Sequence, residues 1–198
     1  MDVIVIDHLP LLALLVATIR ALVVMDGLAF MFLRSKRDIR WHRSMKITLP
    51  EPFLLLCVTG YLWFNGPFAP MGSPYALLVV LGAALSCCGL WLFAWSFAAY
   101  RTVGTGHYVD EGHRVIRSGP YALVRHPMYC AATFIWLGLA LASTDWALLT
   151  LTFAYVIPTY YFYAKDEEAM MVEALGSTYT DYAMAVPMLF PRPLNIWE

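Results

Sequence analysis

Long apolar runs separated by three polar stretches organise this chain. Residues 9–33, 52–69 and 75–99 are apolar runs bounded by turn-forming or charged segments. A helix needs about 20 mostly apolar residues to cross the hydrocarbon core of a bilayer. A fourth run, 128–164, is broken by Ser143, Thr144 and Asp145, so it divides into 128–143 and 146–164. Each half is near the lower length limit for a span, which predicts two short helices closed by a tight turn. The pattern therefore predicts an all-α polytopic membrane protein with about five transmembrane helices, the last two forming a helical hairpin. Two parts follow from it. Residues 1–103 are N-terminal transmembrane helices. Residues 104–198 are a core made of a polar loop, the hairpin and a C-terminal cytosolic helix at Ala169–Leu175, which Gly176 is placed to stop.

Composition agrees with a membrane class. The chain is 61% hydrophobic and 14% charged over 198 residues, against about 45–50% and about 25% in soluble domains. A net charge of −1 argues against a nucleic-acid partner. Charge placement sets the orientation. Of 13 Lys and Arg, six lie in 34–46, four in 101–125, and Lys165 and Arg192 follow the last span. Only Arg20 falls inside a span. Cytoplasmic loops carry the excess of Lys and Arg, so the N-terminus is expected outside and the C-terminus in the cytoplasm. The opening residues lack a basic stretch and a small-residue cleavage site, and no signal peptide is expected.

Several features carry little chemistry on their own. Arg20 and Asp26 are charges within a span, read as snorkelling groups or contacts to another helix. The basic loop 34–46 suits attachment to anionic headgroups. Cys57, Cys87, Cys88 and Cys130 lie in apolar runs without metal spacing and are expected to be small core residues. His113, His126, Glu167 and Glu168 contain no H-x-x-H or H-x-x-x-H pair, so no metal is expected. No phosphate-binding loop, dinucleotide fingerprint or serine nucleophile elbow appears.

The polar groups concentrate in two places. Residues 104–127 hold His107, His113, His126 and four glycines. The glycines permit positive φ and close backbone approach to a ligand. Pro127 suits the first position of a helix, where its missing N–H costs little. Residues 165–193 begin with Lys165, Asp166, Glu167 and Glu168 and carry Tyr179 and Tyr182, which suit an interfacial aromatic belt. A hairpin joining 128–143 to 146–164 must bring its two open ends together. Arg125 and His126 are then expected beside Glu167 and Glu168, either as a salt-bridge cluster anchoring the hairpin or as a site.

The ordered run G112-HRVI-RSGPY-ALV-RHPMY, two short spans, then DEE-x6-LG-xx-Y-xx-Y and a final LFP resembles the isoprenylcysteine carboxyl methyltransferase-like family of membrane methyltransferases, whose core phospholipid N-methyltransferases share. The resemblance covers about residues 104–193. It implies methyl transfer from S-adenosylmethionine to a lipophilic or lipidated acceptor at the cytosolic membrane face. It assigns His113, Val115, Ile116, Gly119, Tyr121, His126, Pro127, Tyr129 and Glu167 to the cofactor. Glu168, Arg125 and Tyr163 become the candidate catalytic residues. Two departures stand out. Tyr163 occupies the place where carboxyl methyltransferases of the family carry an Arg, and the segment before Gly112 lacks their G-x-x-W-S pattern. Membrane sterol reductases, which use NADPH, show a similar R-H-P-x-Y segment, and a non-catalytic relative with the same fold is a third class.

Overall fold

The computed structural model describes residues 54, 57, 58, 60, 61, 74–100 and 115–191. The expected first span, the basic loop 34–46 and His113 lie outside them, as does most of the second span. Among the described residues the chain is helical, with no strand. Residues 54, 57, 58, 60 and 61 are helical, and five α-helices lie wholly within the described residues: α1 (Ala76–Tyr100), α2 (Pro127–Ser143), α3 (Trp146–Leu151), α4 (Ile157–Leu175) and α5 (Ser177–Ala185). A 3-10 turn at Gly119–Ala122 precedes α2, and a π turn at Thr152–Val156 joins α3 to α4. Among the described residues two stretches, Ala76–Ala99 and Trp146–Leu175, are long and apolar enough to cross a membrane.

The turn between α2 and α3 is built from two residues. Thr144 ends α2 in the left-handed region at φ 53°, and its N–H returns to Leu141 O. Asp145 then caps α3, its side chain accepting from Ala147 N at 2.7 Å and Leu148 N at 3.1 Å. Asp is among the residues best suited to satisfy the free N–H groups of a helix start.

The helix that leaves this turn does not stop at residue 164. It runs to Leu175, so the separate cytosolic helix expected at Ala169–Leu175 is instead the continuation of the apolar one. No Gly or Pro lies between Pro158 and Gly176, and Lys165, Glu167 and Glu168 are good helix formers. Gly176, at φ 55°, breaks the chain direction. A further helix, α5, follows it. The π turn adds one residue: Ile157 N–H reaches Thr152 O, five positions back, and Pro158 follows with no N–H to give. One extra residue turns everything beyond it by about 100° relative to an unbroken α-helix. Tyr160, Tyr163 and Glu167 then share one face by i, i+3 and i+7 spacing.

Packing between α1 and α2 is close. A Cβ on Gly138 would meet Ser86 Oγ and the Gly82 carbonyl oxygen, and one on Gly82 would meet the backbone of Ala142 and Gly138. Small residues let helix backbones approach closely where no water drives association. The core on the other side of α2 gathers Ile135, Trp136, Leu139, Leu148, Val156 and Tyr160. The cysteines correct an expectation. Only Cys130 is buried, while Cys57, Cys87 and Cys88 are exposed. In an apolar helix an outward-facing position needs no polar side chain when its surroundings are hydrocarbon, so apolar sequence did not imply core.

Candidate functional site

The site forms where the open ends of α2 and α4 meet. His126 is the residue before α2, and Pro127, fully buried, takes the helix's first position. Glu167 and Glu168 lie two turns from the end of α4. Four charged side chains converge there. Arg125 Nε donates to Glu168 Oε1 at 2.6 Å. His126 Nε2 lies 3.2 Å from the same oxygen. His126 Nδ1 faces Glu167 Oε2 at 3.3 Å, and the Tyr129 hydroxyl donates to Glu167 Oε1 at 2.6 Å. The side chains are largely withdrawn from solvent: Arg125 and His126 are each 10% exposed and Glu168 16%. Buried charges persist only when paired and hydrogen-bonded, and here two cationic and two anionic groups satisfy that condition together.

An aromatic stack fixes the geometry. The Tyr129 ring lies between His126 (centroids 5.7 Å apart, planes 14°) and Tyr160 (5.4 Å, 16°). Tyr163 leans on both tyrosines, at 6.2 Å from Tyr129 and 6.5 Å from Tyr160. Tyr160 is buried, and nothing in its sequence context distinguishes it from other apolar-face aromatics.

The C-terminal segment closes the site from the other side. Arg125 Nη1 donates to Ala183 O at 2.6 Å and also to Val186 O. These are carbonyls at the end of α5, where helix carbonyls lack partners and a cation is favoured. Two backbone bonds run alongside, Arg125 N to Pro187 O at 2.8 Å and His126 N to Met188 O at 3.0 Å. Tyr182 OH donates to Tyr121 O at 2.7 Å, and exposed Arg117 donates to Thr178 O at 2.7 Å. Arg125 therefore ties the start of α2 to both α4 and the end of α5. Tyr179 and Tyr182 are not interfacial belt residues either: they are 5% and 4% exposed. The LG-x-x-Y-x-x-Y spacing places both on the face of α5 that packs on the 117–126 segment.

Electrostatics follow from this arrangement. Burial alone would push the His126 pKa down, but hydrogen bonds and charge from Glu167 and Glu168 outweigh it and hold it above its ordinary value. Burial pushes the Tyr182 hydroxyl up to about 12, with Arg125 opposing and Glu168 adding to the rise. Burial raises Tyr179 and Tyr121 as well, with Glu168 the next contributor at Tyr179 and Glu167 at Tyr121.

The structure thus gathers Arg125, His126, Tyr129, Tyr163, Glu167 and Glu168 into one cluster. Tyr121 joins through its carbonyl and its field. Gly119 uses the freedom of a glycine, at φ 61° over the Trp95 ring. Val115 and Ile116 are half-buried in an irregular lead-in to the 3-10 turn. Residues 77–178 match the phospholipid methyltransferase family, just over half of the chain. The chain belongs to that family. Membership indicates a methyltransferase, and together with the two apolar helices it indicates a membrane one. No curated protein matches the chain, and no solved structure does. The family match takes in α1, which the motif resemblance had not reached. It ends at residue 178, before the α5 carbonyls and the Pro187–Met188 backbone that hold Arg125 and His126.

Proposed function

We propose that this protein transfers a methyl group from S-adenosylmethionine to a lipophilic acceptor at the cytosolic face of a membrane. The buried cluster of Arg125, His126, Glu167 and Glu168 at the end of two apolar helices carries the reading. The donor set suits that cofactor: two carboxylates for its ammonium, and hydroxyl and imidazole groups for its polar edges. The positive end of the α2 dipole lies beside this cluster, where it favours the carboxylate end of the cofactor. The cofactor supplies an activated methyl group on sulfonium sulfur. The protein's part is to position both reactants and exclude water.

In this reading five helices span the membrane, the last two as a hairpin, with the N-terminus outside and residues 165–198 in the cytoplasm. The 1–103 segment anchors the 104–198 core. Glu167, His126, Tyr129, Tyr121, Gly119, Val115, Ile116 and Pro127 line the cofactor together with His113. Glu168 acts beside the acceptor. Arg125 is a positioning residue, because its guanidinium is committed to Glu168 and the end of α5. Tyr163 supplies an aromatic surface and no charge, which does not favour the prenylcysteine carboxylate as acceptor. Calorimetric titration of the detergent-solubilised protein with S-adenosylhomocysteine, with NADPH as control, tests the assignment. Micromolar binding of the first alone supports it; binding of NADPH alone makes the protein a reductase.

A further inference from the structure

We propose that the apolar groove between α4 and the C-terminal segment seats one anionic phospholipid of the bilayer, with an acyl chain against Phe162 and Phe190 and its phosphate on Lys165. The inference rests on the membrane placement in the reading above and not on methyl transfer. The groove measures about 530 Å³ and is lined from α4 by Ile157, Pro158, Tyr161 and Phe162 and from the C-terminal segment by Met188 and Phe190. That volume lies within the range of about 300–1,000 Å³ usual for ligand sites. Its walls are apolar and stand partly open: Phe162 is 56% exposed and Phe190 45%. The final LFP of the sequence motif divides its work here. Leu189 is buried and fastens the segment, while Phe190 turns outward as a wall of the groove.

Charge at one end selects the occupant. From Trp146 to Ala164 the chain bears no charged residue, and Lys165 is the first. The groove thus lies along the last turns of the apolar stretch, with Lys165 at the polar boundary where long cationic side chains reach headgroups. Lys165 follows Tyr161 by four residues, so the two share a helix face. Its ammonium lies 5.4 Å from the centre of the Tyr161 ring, over a wall of the groove. Lys165 is exposed and forms no ion pair among the described residues. Glu168, one turn on, does not compete for it, because Arg125 and His126 hold that carboxylate at 2.6 and 3.2 Å. Apolar walls alone would not retain a lipid, since bulk hydrocarbon is as apolar as they are. An apolar groove with an unpaired cation at its mouth retains a lipid whose headgroup carries net negative charge.

Occupancy reaches the buried cluster through the backbone. Met188 lines the groove, and its carbonyl accepts the His126 N–H at 3.0 Å, while the Pro187 carbonyl accepts the Arg125 N–H at 2.8 Å. A lipid packed on Met188 and Phe190 therefore steadies the segment that both residues are bonded to. The headgroup bound at Lys165 influences the order of the cluster without entering it.

The test places the full chain in phosphatidylcholine nanodiscs that also contain, at low mole fraction, a phosphatidylglycerol or a phosphatidylcholine bearing the same diazirine-labelled acyl chain. Mass spectrometry maps the photolabel. The phosphatidylglycerol probe is expected to label 157–162 and 188–190 about fivefold more than the phosphatidylcholine probe. The outward Leu81 and Trp91 of α1 should take both probes alike. Lys165→Gln should erase the preference and Lys165→Arg keep it. Hydrogen exchange at the Arg125 and His126 amides should slow when unlabelled phosphatidylglycerol replaces part of the phosphatidylcholine, and Lys165→Gln should abolish that response. Equal labelling by the two probes overturns the inference. So does an unlabelled groove, the result expected if another part of the chain or a second copy covers it, and so does amide exchange indifferent to phosphatidylglycerol. Protein that does not enter the nanodiscs sinks the membrane placement as well, and incorporation separates the two failures.

Discussion

Arg125 and Glu168 form a 2.6 Å ion pair across 43 residues of sequence, and the same guanidinium holds the last carbonyls of α5. One side chain thereby ties the start of α2, the end of α4 and the C-terminal segment together. Removing one partner of a buried pair strands the other and costs about 3–5 kcal/mol. Arg125→Ala is expected to lower the thermal midpoint of the solubilised protein markedly. Arg125→Lys should recover only part of it, because an ammonium cannot reproduce the planar fork.

Glu168→Gln keeps the shape of the side chain and an oxygen for Arg125, but removes the charge. The variant is expected to insert and fold while losing methyl transfer. A variant with full turnover would remove Glu168 from the proposed chemistry.

Gly138 has no room for a side chain, because backbone and Ser86 occupy the space a Cβ would need. Gly138→Leu should force α1 and α2 apart at a cost of about 1–3 kcal/mol or more. Thermal unfolding measures it, and an unchanged midpoint would contradict the close crossing.

Stability should depend on pH through His126. Its folded pKa lies above the unfolded value of 6.5, so its contribution is complete below about pH 6.5 and is lost as pH rises through the folded value. The thermal midpoint is expected to fall between pH 6 and pH 9. His126→Gln should flatten that slope.

Tyr182→Phe deletes a single hydroxyl that donates to Tyr121 O. The acceptor stays part-buried without it, for a cost of about 1 kcal/mol. Limited proteolysis should then cut the C-terminal segment faster than in wild type.

Much of the local structure was legible in the chain. Ser143–Asp145 reads as a turn because Asp is a strong helix cap and it interrupts an apolar run. Pro127 marks a helix start, and Gly176 a stop, for equally local reasons. The meeting of Arg125 and His126 with Glu167 and Glu168 was also expected from sequence, on the reading that the two apolar runs fold back on each other at Ser143–Asp145. The continuity of the helix through 165–175 was not legible, because a change from apolar to charged residues looks like a boundary although it breaks no backbone rule.

The sequence by itself determined that 75–99, 128–143 and 146–164 are helical, where α2 turns into α3, and which charged residues share the open end of that pair. Only the tertiary structure decided what Arg125 does there, because its other partners are the carbonyls of Ala183 and Val186, and a backbone carbonyl leaves no mark in the residue code. It alone decided that Tyr179 and Tyr182 are buried against the 117–126 segment and that Cys57, Cys87 and Cys88 face outward. In a chain this apolar, hydrophobicity marks surroundings free of water but does not distinguish a neighbouring helix from hydrocarbon, and only packing makes that choice.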